Sequence, residues 1–155
     1  MSSQVMTEGI LIIVSVISAS ILGTIVITQV GIFDSHYTNT VNVQKDIMLT
    51  KTQIIHAINS TDTEANVWIK NIGSQSLSNL DTMDVFFGKN NQAIRITYQA
   101  SSNPSWTIQD NTGIWNPSET LKIVITNDVS FEAGIYSVII TTPNGVQAET
   151  VMSMT

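Results

Sequence analysis

No cysteine occurs among the 155 residues, which excludes disulfide staples and thiolate chemistry. Histidine is scarce too. Only His36, beside a long apolar run, and His56, inside a β-rich segment, are available, so no Ser/His/Asp set can be assembled. The chain reads as a non-enzyme that takes no cofactor and no small-molecule substrate. Asp81 and Asp84 in "LDTMD" lack the surrounding oxygen ligands that a cation requires, so no metal site is expected. "GKNN" lacks the strand-to-helix context of a phosphate loop and reads as a hairpin turn. Charge is thin, at 12% of residues against a usual figure of about 25%. Six scattered Lys and Arg in a chain of net charge −6 form no basic stripe, which argues against a nucleic acid partner. In place of charge stand 58 Ser, Thr, Asn and Gln residues. Such a neutral polar surface loses little when its carboxylates protonate, as a protein in an acidic exterior would require.

The other departure from average composition is "GILIIVSVISASILGTIVITQVGIF", Gly9 to Phe33, which holds no charged residue. As a helix, 25 residues rise about 37 Å, enough to cross a hydrocarbon core of about 30 Å with some tilt. The preceding "MSSQVMTE" has no basic n-region and the apolar run is too long for a cleaved secretory signal. Residues 1–33 are therefore read as a membrane anchor helix. Ser15, Ala19 and Gly23 repeat at a spacing of four, a face where another helix could pack closely, though such residues are also ordinary in membrane helices.

Residues 34–50 are polar and free of Gly and Pro, which suits a helix extension or a stalk. From residue 51 to 155, short β-branched and aromatic runs alternate with turn residues, the pattern of an antiparallel β-sandwich of immunoglobulin-like type. Strands are expected at about 51–59, 65–72, 83–88, 93–99, 106–109, 119–126, 134–142 and 146–153. Phe86 and Phe87 must point to opposite faces, so "DVFFG" offers Val85, Phe86 and Phe87 as a candidate surface for a protein partner. Trp106 and Trp115, beside Pro-bearing segments, either plug the sandwich ends or form a binding rim. Asn59 heads an "NST" sequon assigned to a loop, a candidate glycosylation acceptor. All six Lys and Arg follow the apolar run, yet long domains translocate largely regardless of charge, so the domain is expected outside the cell.

Together, the N-terminal apolar helix, "VWIKNIGSQSLSNLDTMDVFFG", "WNPSETLKIVI" and "GIYSVIITTPNGVQAETV" resemble the archaeal FlaG/FlaF family of archaellum accessory proteins, FlaG more closely. Ser118 stands where this family often has Gly before Glu. The resemblance implies a single-pass protein of the cytoplasmic membrane, its C-terminal domain in the space below the S-layer. It further implies a homo-oligomer that meets a FlaF-type partner, and through it the S-layer, to form the stator of a motility motor. Two alternatives are a type IV pilin-like or archaellin filament subunit and a membrane-tethered ligand-binding module. Cutting after Ser3 would leave Glu8 fifth in the mature chain, as in bacterial type IV pilins, but no basic residue precedes that cut.

Overall fold

The computed structural model describes residues 2–90, 92–101, 104–109 and 113–154. The chain divides into two compact units, one up to Asn42 and one from Val43 onward.

Helix α1 spans Ser2–Leu49. Nothing in residues 34–49 breaks it, since no Pro or Gly interrupts the polar segment after Gly31. Its hydroxyls are satisfied internally: Ser15 donates to the Leu11 carbonyl at 2.7 Å, and Ser20, Thr24 and Thr28 each donate four residues back at 2.8–3.0 Å. That removes the cost of placing those hydroxyls in an apolar medium. The apolar side chains along the helix stand exposed, Ile27 at 75%. By length and composition the helix can cross a membrane.

The second unit is a β-sandwich. Its strands are β1 (Thr52–Thr61), β2 (Glu64–Asn71), β3 (Leu77–Ser78), β4 (Asp84–Lys89), β5 (Ile94–Tyr98), β6 (Ser105–Gln109), β7 (Ile114–Trp115), β8 (Thr120–Thr126), β9 (Gly134–Thr141) and β10 (Gln147–Met154). Eight follow the order β1-β2-β8-β6-β5-β4-β9-β10, and β3 pairs with β7 in a small second sheet. All pairs are antiparallel except β5 with β6, which meet in parallel at Thr97–Ser105 and Tyr98–Trp106. This short seam joins one layer, β1-β2-β8-β6, to the other, β5-β4-β9-β10. The two-residue strands β3 and β7 are too short to leave a periodic trace in the sequence.

Strand alternation sorts the core. Val67, Ile69 and Asn71 of β2, Leu121, Ile123 and Ile125 of β8, Val85 and Phe87 of β4, and Tyr136, Val138 and Ile140 of β9 are buried. Trp106 and Trp115, at 1% and 0% exposure, fill the interior. Asn71 is accommodated because its side-chain amide donates to the Gln75 carbonyl at 2.8 Å, while its own Oδ1 accepts from the Gly73 amide.

Candidate interaction surfaces

Of the five residues expected to meet a partner, the structure leaves only Phe86 on a surface. Val85, Phe87, Trp106 and Trp115 belong to the core, because their strand parity or their position between the layers directs them inward. Trp115 is held there by its indole N–H, which donates to the Glu119 carbonyl at 3.0 Å. Trp106 packs on Tyr98, with ring centroids 4.7 Å apart. The rim reading of the two tryptophans is thereby corrected.

Phe86 lies half-buried on the outer face of β5-β4-β9-β10, directly opposite Ile139 of β9 and Arg95 of β5. Exposed Ile135 and Val151 lie on the same face. Arg95 donates to Asp84 at 2.6 Å on this face, and exposed Glu149 of β10 stands directly opposite Ile139, so charged groups flank the apolar residues on both sides.

A second apolar area lies at the strand ends farthest from Thr52. Phe87 stacks on Tyr136 at 5.2 Å and meets Phe131 edge-on at 5.5 Å, next to a cleft of about 300 Å³ that is also lined by Ile94 and Val129. Ile94 and Val129 are 60% and 69% exposed. A salt bridge, Lys89 to Glu132 at 2.7 Å, borders it. Sequence reasoning missed this area; its one trace is Val129 and Phe131 standing as isolated apolar residues in the polar loop "TNDVSFEAG".

On the opposite outer face, Trp68 carries His56 at 5.2 Å on one side and the Lys122 ammonium 5.6 Å from its ring centroid on the other. His56 is exposed, and a bulge between Ile54 and His56 shifts the register of β1 beside it. Among the described residues no group of three or more His, Asp or Glu gathers as metal ligands do. Asp81 is exposed in a short 3-10 turn, and Asp84 is engaged by Arg95.

Asn59 does not sit in a loop. It is a half-buried residue of β1 opposite fully buried Ala65, because only Asp62 and Thr63 form the turn. In α1, Ser15, Ala19 and Gly23 lie on exposed helix, and no heavy atom stands within 4 Å of a Cβ placed on Gly23.

The geometry defines a class of protein, a β-sandwich that begins at the end of a long apolar helix and carries exposed apolar side chains on its surface. Residues 2–152 match the archaeal-type flagellin family, and the chain belongs to that family. No curated protein sequence matches it. Among solved structures it is similar to the archaellum periplasmic stator protein FlaG from Sulfolobus acidocaldarius, at 28% identity and a TM-score of 0.63, over 67% of this chain and 100% of that one. It is also similar to a chain of the FlaF and FlaG stator complex from the same organism, at 30% identity and a TM-score of 0.62, over 67% and 90%. The archaeal flagellin FlaB1 from Methanocaldococcus jannaschii shares the fold at 12% identity, with a TM-score of 0.55 over 68% and 90%. The chain is an archaellum-type structural protein, akin to stator components.

Proposed function

We propose that this protein is a membrane-anchored element of the archaellum stator. In this reading α1 crosses the cytoplasmic membrane once, and the sandwich stands outside, below the S-layer. There it self-associates and docks with a FlaF-type partner. The observation that carries this reading is the likeness to FlaG over that protein's whole solved chain, in a molecule whose sandwich follows a helix of membrane-spanning length. A rotary filament driven in a fluid membrane needs a fixed surround, since otherwise the reaction torque turns the motor. An anchored, rigid β domain supplies one end of such a tether. Phe86, with Ile135, Ile139 and Val151, is the contact proposed for self-association, since the six scattered cations cannot build a strong electrostatic interface.

The test is co-purification of the full-length chain, in detergent, with a FlaF-type protein of the same organism. A stable complex is expected, and failure to associate at micromolar concentration would refute the stator reading. The filament-subunit reading draws on the archaeal-type flagellin match and on Glu8. Mass spectrometry of the mature chain separates the two: an intact N-terminus is expected, and a chain starting at Gln4 would favour the filament subunit.

A further inference from the structure

The end of α1 is held by both layers of the sandwich. Residues 43–49 belong to the same compact unit as the strands. On one side, the loop after β2 receives the helix end: the Ser74 amide donates to the Leu49 carbonyl and the Ile72 amide to the Lys51 carbonyl, both at 2.8 Å. Gly73 lies between them, and a Cβ there would strike the backbone of Leu49 and Lys51. On the other side, the β9–β10 hairpin reaches the same point. The Asn144 amide donates to the hydroxyl of buried Thr50 at 2.5 Å and lies 3.4 Å from the Asp46 carbonyl. The Thr50 hydroxyl donates in turn to the Asp46 carbonyl at 2.7 Å, and the Thr50 amide closes the last turn on Asp46 at 3.0 Å.

The hairpin is shaped for this contact. Thr142 and Val146 flank a three-residue loop in which the Gly145 amide donates to the Thr142 carbonyl at 2.9 Å and Gly145 adopts φ +87°. Asn144 Oδ1 accepts the Thr142 hydroxyl at 2.6 Å, which orients the amide so that its Nδ2 faces the helix end.

We propose that Asn144 and Thr50 form a mechanical lock that fastens the helix end to both layers. Without it, the helix end is tied only to β1 and the β2–β3 loop, which belong to one layer. Because β1 is an edge strand whose ladder hydrogen bonds run to β2 alone, while it only packs against β10 of the second layer, tension on the helix would then open the β1–β2 pair one hydrogen bond at a time. With the lock, the same tension also engages the β9–β10 hairpin of the second layer, and pairs in both layers must yield together. The load invoked is that of the proposed tether; the lock itself is tested without reference to it.

Asn144→Asp keeps the acceptor for Thr142 and removes the donor to Thr50, while Thr50→Val keeps the branched shape and removes the hydroxyl. Hydrogen exchange of the full-length chain in lipid nanodiscs, read by mass spectrometry, is the measurement. Each variant should speed exchange at residues 47–51 and at Ser74 by about tenfold or more, with the amides of β2 and β8 unchanged, and the double variant should add little. Unchanged exchange around Thr50 in both variants would overturn the proposal. So would equal acceleration throughout β2 and β8, which would make Asn144 a general folding residue. FlaF-type co-purification, scored separately, bears on the stator reading alone.

Discussion

The Glu119 carboxylate accepts the Asn116 backbone amide at 2.8 Å, closing the turn that seats Trp115 in the core. Within that turn Ser118 is held at φ +69°, a left-handed conformation that favours glycine. The strain costs about 1 kcal/mol, partly offset because glycine is freer in the unfolded chain. Ser118→Gly should therefore stabilise the β domain by about 0.5 kcal/mol, while Glu119→Ala, which strips the Asn116 amide of its acceptor, should destabilise it by about 1 kcal/mol. Urea unfolding of residues 43–155 measures both, and a destabilising Ser118→Gly would contradict the strain account.

Thr52 opens β1 with a buried hydroxyl that has no hydrogen-bond partner among the described residues. An unpaired buried hydroxyl costs about 1 kcal/mol or more. Valine has the same branching without the polar atom, so Thr52→Val should raise the unfolding midpoint by about 1 kcal/mol equivalent. A lowered midpoint would mean that the hydroxyl is paired in solution.

Phe86 and Phe87 give opposite outcomes on substitution by Lys. At Phe86 the ammonium reaches solvent, so the domain should remain folded by circular dichroism while the proposed self-association, read by light scattering, is lost. At Phe87, 5% exposed and stacked on Tyr136, the same change buries a charge in the core and should abolish folding. Undiminished association of folded Phe86→Lys would move the interface elsewhere, with the Ile94 and Val129 area next in line.

Hydrogen bonding between Lys89 and Glu132 holds the Glu132 carboxyl below its usual value and the Lys89 ammonium above its own. The pair's contribution is thus present at neutral pH. It is lost on acidification as pH falls through the lowered Glu132 value, and at the alkaline end as pH rises through the raised Lys89 value. Glu132 is exposed and Lys89 only half-buried, so water screens the pair and the contribution is small. Any deficit of Lys89→Met in thermal midpoint at pH 7 should vanish near about pH 2. A deficit that persists there would mean that the lysine stem, not its charge, supplies the stabilisation.

The strands were legible because β-branched runs alternate with turn residues, and eight of them fall within two residues of their expected bounds at each end. Alternation also required Phe86 and Phe87 to face opposite sides. It could not assign the sides, because which side is interior depends on strands distant in sequence, such as Val138 and Ile140 of β9. The same limit applies to Trp106 and Trp115, whose Pro-bearing neighbours leave both a plug and a rim open, while the structure buries both rings. In sequence "STDTE" reads as one wide turn that takes in the end of the sequon, whereas in the structure pairing continues from Asn59 to Thr61 and Glu64. Asn144 was visible only as part of a hairpin signal, since its partner Thr50 lies 94 residues away.

The two layers are interleaved along the chain. One takes residues 52–61, 64–71, 105–109 and 120–126, the other 84–89, 94–98, 134–141 and 147–154. On a ribosome α1 is finished first, yet neither layer can complete its pairing until residues beyond 120 have emerged, and the second must wait for β10. At about 5 to 20 residues per second, the interval between the end of α1 and the last strand is about 5 to 20 s. Among the described strands the β9–β10 hairpin, which carries Asn144, is the last to emerge, so the contact with Thr50 is made only once the other strands are available to pair.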